Sequence, residues 1–243
     1  MAAQPINTRA ALIEARNLAY DANYRNDRAG LQSAIEAMQA LLKTGEEAAY
    51  INYYLSWSYW LLAASQVQAN QPKEAMDSGT HAVEHARAAI AVRDADPELH
   101  SMLVNALVVV AILDRSRIPA ISAELTAARR RALELGPRNP RVLLMDTGMI
   151  FNRSPQAGGD GREEGLARSK EAIRAFEAEA GEKAVDPLAP RWGYALAYGW
   201  MGTLYLRMSP PQKDNAREAA EIALRMRPDF WWAREQVVPL TKN

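Results

Sequence analysis

The sequence repeats one local pattern, in which a turn rich in proline, aspartate or asparagine is followed by a helix-length apolar segment. The pattern is clearest at residues 133–140, which end one predicted helix and begin the next, and it returns at residues 94–97, 186–190 and 227–229. Proline is favoured in the first turn of a helix because its missing N–H would have no partner there. Repetition on this scale predicts a solenoid of helix pairs, each of which buries its apolar face only against its neighbours.

The composition supports such an array and argues against several classes of function. Hydrophobic residues make up 49% of the 243 residues, which is ample for a continuous core. The 29 basic and 29 acidic side chains cancel, which argues against nucleic acid as the partner because a phosphate-binding surface normally leaves a basic excess. Without cysteine there are no disulfides and no thiolate metal sites. No apolar run approaches the roughly 20 residues of a membrane-spanning helix.

The apolar spacing predicts an all-α fold in a single domain over residues 1–243. No stretch alternates with a period of two for long enough to predict a strand. The turn signals divide the chain into five helix pairs and a C-terminal capping helix, with approximate bounds at residues 7–43, 46–93, 97–135, 140–180 and 190–226, and at 229–240 for the cap.

One segment near the C-terminus resembles a tetratricopeptide repeat (TPR). The matching positions are Tyr198, Met201, Gly202, Tyr205, Ala216, Ala220, Ala223 and Pro228. Residues 132–151 fit the same pattern less completely, and the units of about 40–50 residues exceed the standard 34. The resemblance implies a right-handed α-α superhelix, in which small residues such as Gly148 and Gly202 let paired helices approach closely.

The resemblance also implies that the first helix of each pair lines a concave face where ligands bind. The positions that this places at the groove, or that would hydrogen-bond a bound backbone, are Tyr50, Tyr53, Trp57, Trp60, Met102, Asn105, Met145, Met149 and Asn152. Aromatic and methionine side chains suit an apolar peptide segment because they bury large areas and adapt to shape. We therefore expect a non-enzymatic scaffold, without a cofactor, that binds a peptide or protein. The alternative is that the superhelix buries this stripe in its own core.

Two other functions remain open at this stage. The first is a small-molecule or lipid-binding component of a transport system, with the aromatic stripe as a closed pocket. The second is a metallohydrolase, because His81, Glu84 and His85 match the H-x-x-E-H pattern and place two histidines one helical turn apart. In addition, Trp231 and Trp232 could form a homodimer contact if they are exposed.

The N-terminal residues bear on the compartment. Met1-Ala2-Ala3-Gln4-Pro5 has neither the charged nor the apolar region of a signal peptide. It resembles the start of a mature exported protein, which favours a bacterial periplasmic or secreted location over the cytoplasm.

Overall fold

The computed structural model describes residues 7–151, 161–182 and 186–242, and over these ranges the chain is helical without strands. These ranges contain ten α-helices, whose bounds are α1 Thr8–Arg25, α2 Arg28–Leu42, α3 Ala48–Gln68, α4 Pro72–Val92, α5 Pro97–Leu113, α6 Ile118–Leu135, α7 Pro140–Phe151, α8 Gly161–Ala180, α9 Tyr194–Leu206 and α10 Lys213–Met226. A 3-10 turn at Arg115–Arg117 precedes α6. The helices fall on the predicted pairs to within a few residues, and the all-α prediction is confirmed.

Aspartate and asparagine residues in the turns act as caps at the starts of three helices. The Asp27 side chain accepts a hydrogen bond from the Gly30 N–H at the start of α2, and the Asp96 side chain accepts one from Glu98 N–H at the start of α5. At α7, Asn139 Oδ1 lies 2.9 Å from the first of two backbone N–H donors and 3.1 Å from the second. Each cap satisfies N–H groups that have no partner within their own helix.

The chain divides into two compact units. The described part of unit 1 comprises residues 7–23, 27–135 and 186–190, and that of unit 2 comprises residues 24–26, 136–151, 161–182 and 191–242. In unit 1, α3 packs against α2, α4 and α5, and α5 packs against α4 and α6. In unit 2, α8 packs against α7 and α9, and α9 packs against α10. Successive helices therefore pack as neighbours within each unit, and the single domain over residues 1–243 stays a prediction.

Helix α3 forms the centre of the core of unit 1. Tyr54, Leu55 and Trp57 are fully buried, and burial is almost continuous from Ala49 to Ala63. A helix that is apolar all round is covered on every side, so its spacing does not distinguish a groove face from a core face.

The core of unit 2 depends on close helix approach at one of the two predicted glycines. A Cβ added at Gly202 would lie 3.0 Å from Val237 Cγ1 and 3.2 Å from the Ala216 carbonyl oxygen, so the close approach predicted there is confirmed. Among the described residues, an added Cβ at Gly148 would meet nothing within 4 Å, so the same expectation is not met there.

The segment predicted as a capping helix follows α10 and packs against both α9 and α10. It is a π-helical turn at Trp232–Val237 followed by a 3-10 turn at Val238–Thr241, and not an α-helix. Pro239 gives a physical reason, because it has no N–H to continue an α-helical ladder.

Candidate binding site

Residues 186–190, which lie between α8 and α9 in the sequence, form a β-turn within unit 1. The Ala189 N–H donates to the Asp186 carbonyl oxygen at 2.9 Å and closes the turn. The Leu188 N–H donates to Asp186 Oδ1, also at 2.9 Å. Aspartate at the first position and proline at the second are both favoured in such turns. The sequence predicted only a break between helices here, whereas the structure buries Leu188 completely. We call residues 186–190 the turn segment.

Two helices of unit 1 supply four side chains that contact the turn segment, and a fifth, Tyr20, that packs against one of them, Tyr54. Arg9, Arg16 and Tyr20 lie on one side of α1, at spacings of seven and four residues, and Tyr50 and Tyr54 lie four residues apart on α3. These spacings place the side chains of each helix on one face. We call these five residues the turn-binding face.

Part of the turn-binding face contacts only the backbone of the turn segment. The Tyr54 hydroxyl donates to the Leu188 carbonyl oxygen at 2.6 Å, and Arg16 Nη1 donates to the Pro187 carbonyl oxygen at 2.7 Å. Burial, reinforced by the neighbouring Tyr20, raises the pKa of Tyr54 well above its usual value. The hydroxyl therefore keeps its proton and remains a donor. Every peptide has carbonyl groups, so these two contacts depend on the backbone of the bound segment and not on its side chains.

The rest of the face recognises a carboxylate. Arg9 Nη2 donates to Asp186 Oδ1 at 2.6 Å, and the Tyr50 hydroxyl donates to Asp186 Oδ2 at 2.9 Å. Burial acts to raise the pKa of Asp186, but hydrogen bonds from the Leu188 N–H and the Tyr50 hydroxyl, together with the charge of Arg9, outweigh burial and lower the pKa. Arg9 also pairs with Glu47. Asp186 is therefore ionised at neutral pH and bound as an anion.

The structure places the aromatic stripe predicted on α3 largely in the core. Tyr50 belongs to the turn-binding face, but Tyr53 is only 2% exposed and Trp57 is not exposed at all. The Tyr53 hydroxyl donates to Glu98 Oε2 at 3.0 Å, and Trp60 is half-buried. The expectation of an open groove is thus corrected for Tyr53 and Trp57, because neighbouring elements cover α3 on all sides.

The remaining predicted partner contacts are divided between the units. Met102 in unit 1 and Met145 in unit 2 are buried, so neither offers a surface to a ligand in this conformation. Asn105 is half-buried, and its Nδ2 donates to a carbonyl of its own helix at 2.9 Å. Met149 is half-buried, and Asn152 lies outside the described residues. A binding role for Asn105, Met149 and Asn152 stays a prediction.

The two histidines on α4 both lie against Tyr59 of α3. The ring centroids of His81 and His85 are 5.0 Å and 5.6 Å from that of Tyr59. His81 Nδ1 is 3.1 Å from Glu84 Oε2, and His85 Nδ1 is 2.8 Å from Asn52 Oδ1. Over residues 7–151, 161–182 and 186–242, no group of three or more His, Cys, Asp or Glu side chains is arranged to hold a metal ion. A third protein ligand for the H-x-x-E-H pattern is therefore absent from these ranges.

Unit 2 contains a cavity of about 730 Å³ beside α7 and α8. This volume lies within the range of small-molecule sites. The lining carries both signs of charge and consists of Pro137, Arg138, Pro140, Leu143, Glu171, Arg174, Ala175, Ala178, Glu179 and Glu182.

Sequence reasoning missed Arg9, Tyr54 and the turn segment as parts of a site. The Asp186-Pro187 pair signalled a turn, and the seven-residue spacing of Arg9 and Arg16 signalled a shared helix face. Nothing local linked the two, because the Tyr54–Leu188 contact joins residues 134 positions apart.

The elements and their packing define an all-α fold of the TPR type, which confirms the predicted resemblance at the level of fold. The structure is similar to the HusA haemophore from Porphyromonas gingivalis, with a TM-score of 0.63, 18% identity, and coverage of 84% of this chain and 95% of that one. It is also similar to TTC0263, a thermophilic TPR protein from Thermus thermophilus, with a TM-score of 0.57, 15% identity, and coverage of 96% and 98%.

At these identities the two likenesses show the fold alone. No protein-family model matches the sequence, and no curated protein matches it. Among the described helices, none combines the length and the apolar character needed to cross a membrane.

Proposed function

We propose that this chain is a non-enzymatic helical scaffold that binds a polypeptide partner on the turn-binding face of unit 1. The observation that carries the proposal is that this face already holds a polypeptide turn, through two backbone carbonyls and one buried leucine. A face with donors for carbonyl oxygens and space for an apolar side chain has what peptide recognition requires.

The strength of such binding follows from the contacts. The Tyr54 hydrogen bond, the charge-assisted bond from Arg16 and the burial of a leucine together supply on the order of 4–7 kcal/mol before the cost of association. A short peptide using only these contacts binds no more tightly than the millimolar range. A partner therefore needs a larger surface, and we propose the half-buried Trp60 and Asn105 as further contacts in unit 1.

The buried aromatic side chains have a supporting role in this proposal. Trp57 packs edge-on against Tyr20 of the turn-binding face, with ring centroids 5.3 Å apart. Tyr53 packs edge-on against Tyr54 at 5.0 Å. Rings packed in this way restrict the rotamers of the two tyrosines and so keep the donor of Tyr54 in place.

A peptide-display selection tests the proposal. Random displayed peptides are selected on the unmodified chain, and their affinities are then measured for a double variant, Arg16→Ala with Tyr54→Phe. The double variant and its matched control are both made in a Leu188→Ala chain, which removes the buried leucine of the turn segment and so limits its competition for the face. We expect a loss of at least about tenfold relative to the Leu188→Ala chain, because both backbone donors are removed. The matched control combines Arg115→Ala, at an exposed arginine, with Tyr205→Phe, and should leave affinity unchanged. Selection of no peptide, or equal binding to both double variants, would contradict the proposal.

A second candidate is a small-molecule binder that uses the cavity of unit 2. The cavity volume of about 730 Å³ favours it, and the neighbour HusA, a haemophore, makes haem the first molecule to test. Haemin titration followed by visible absorption should give a saturable change that weakens in Arg174→Ala, at the cavity lining. The exposed Arg225→Ala serves as the control. An unsaturable change, or an equal response in both variants, would exclude this candidate.

A further inference from the structure

We propose that the turn segment is an internal ligand, which occupies the turn-binding face until a partner presenting a turn of the same chemistry displaces it. That chemistry is a carboxylate two residues before a leucine, as in Asp186-Pro187-Leu188. The inference rests on the proposed function and adds to it the partner's recognition motif and the regulation of the site.

The leucine is the anchor of the motif. Leu188 has no exposed surface, whereas Pro187 before it is exposed and Ala189 and Pro190 after it are half-buried. One side chain therefore supplies most of the apolar contact of the segment. A partner with a smaller side chain at this position would leave the space unfilled and lose the dispersion contacts of its walls.

The carboxylate sets the second requirement. Asp186 receives one donor from α1 and one from α3, at 2.6 Å from Arg9 Nη2 and 2.9 Å from the Tyr50 hydroxyl oxygen. The same carboxylate accepts the Leu188 N–H and so holds the turn in its bound shape. An asparagine in its place keeps an acceptor for one donor but loses the charge that faces Arg9. The face thus selects an anion and a turn conformation together.

Because the turn segment is covalently attached to the chain, its release from the turn-binding face controls how tightly a free peptide binds. A tethered segment competes at an effective concentration on the order of millimolar. A free peptide with the same contacts therefore binds weakly until the internal copy is removed. Weakening the internal ligand should raise the apparent affinity for the free peptide in proportion to the unoccupied fraction.

The test is a titration of the isotope-labelled chain with an acetylated and amidated peptide of sequence Asp-Pro-Leu-Ala-Pro, followed by NMR. The protein variant Leu188→Ala removes the internal anchor. We expect it to bind the peptide at least about tenfold more tightly than the unmodified chain, because the Asp186 contacts with Arg9 and Tyr50 add to the backbone and leucine contacts and keep the internal copy bound in more than about nine-tenths of unmodified chains. Leu240→Ala, at a leucine that is 62% exposed, is the matched control and should behave as the unmodified chain.

Two further comparisons test the motif, one with altered peptides and one with a second protein variant. Peptides with Asn in the first position or Ala in the third should each bind the Leu188→Ala chain at least several-fold more weakly than the parent peptide. If Leu188→Ala does not fold, Asp186→Asn, which keeps the leucine, should still raise the affinity for the parent peptide. Equal affinity of the variants and the unmodified chain, or no discrimination among the peptides, overturns the inference.

The outcomes separate this inference from the proposed function. Displayed peptides that bind through Arg16 and Tyr54 but lack the acidic-and-leucine motif, with affinities unaffected by Leu188→Ala, would leave the proposed function standing and refute the internal ligand. If selection on the unmodified chain and on the Leu188→Ala variant yields no binding peptide in either case, the proposed function itself fails.

Discussion

The substitution Tyr54→Phe isolates one contact of the turn-binding face. It removes a hydroxyl that donates to the Leu188 carbonyl oxygen at 2.6 Å and keeps the ring that fills the core of unit 1. Because the volume hardly changes, no cavity is expected. The effect on stability should therefore come from the lost hydrogen bond and from the carbonyl group that it leaves behind.

The magnitude follows from the burial of both partners. A buried acceptor that loses its donor costs about 1–3 kcal/mol, and Tyr54 and Leu188 are both fully buried. For a chain of this size, about 2–4 °C of melting temperature corresponds to each kcal/mol. We therefore expect Tyr54→Phe to lower the free energy of unfolding by about 1–3 kcal/mol and the melting temperature by several degrees.

Urea unfolding followed by far-UV circular dichroism measures the loss in the free energy of unfolding. Hydrogen exchange at the Ala189 amide shows whether the loss arises at the turn segment. The Ala189 N–H closes the turn, so its protection should fall in the variant. Tyr205→Phe provides the control, at a half-buried tyrosine of unit 2 whose hydroxyl makes no hydrogen bond within the described part of the chain. If Tyr54→Phe and Tyr205→Phe have equal stability, or if exchange at Ala189 is unchanged, the reasoning is refuted.

Three further predictions concern unit 2. Gly202→Ala should destabilise the chain, because the added Cβ meets atoms at 3.0 and 3.2 Å. Gly148→Ala should stabilise it by about 0.5–1 kcal/mol, because alanine is the better helix former and the added Cβ meets no described atom within 4 Å. Thermal melts of both variants measure the two effects. Burial raises the pKa of Tyr24 to about 12 despite the nearby arginine charge. Because the folded-state pKa lies above the unfolded value of about 10, its contribution to stability is complete below about pH 10 and is lost as the pH rises towards 12. Alkaline unfolding, monitored by tyrosinate absorbance, should therefore occur at a higher pH in Tyr24→Phe. Arg141→Met should cost about 3 kcal/mol in urea unfolding, because it removes the buried partner of Glu179 and leaves that carboxylate with the more distant Arg191, 3.9 Å away. A loss below about 1 kcal/mol would contradict it.

Much of the fold could be predicted because its signals are local. Capping aspartate and asparagine, proline in the first turn and helical apolar spacing each act within a few residues, and α2, α5 and α7 begin where those signals lie. The turn signals divided the helices into pairs for the same reason. The TPR resemblance implied close approach at Gly148, where a small residue matches the repeat pattern, but an added Cβ meets no atom of the described residues within 4 Å.

The site was harder to predict because its contacts are distant in sequence. The predicted aromatic stripe lies on α3, which carries apolar and aromatic residues on every side, so periodicity does not separate Tyr54 from Tyr53. Only the position of the turn segment makes that distinction, since Tyr54 contacts Leu188 and Tyr53 contacts Glu98. No local pattern encodes which of two adjacent tyrosines will meet a segment more than a hundred residues away.

This separation has a consequence for synthesis of the chain. The residues of α3 emerge from the ribosome before the turn segment does, and the Tyr50–Asp186 contact spans 136 residues. At about 5–20 residues per second, the delay is on the order of ten seconds. During that interval the helices of unit 1 can form while their internal occupant has not yet been made. A partner that binds during translation meets a vacant face, and one that arrives later must compete with the finished chain.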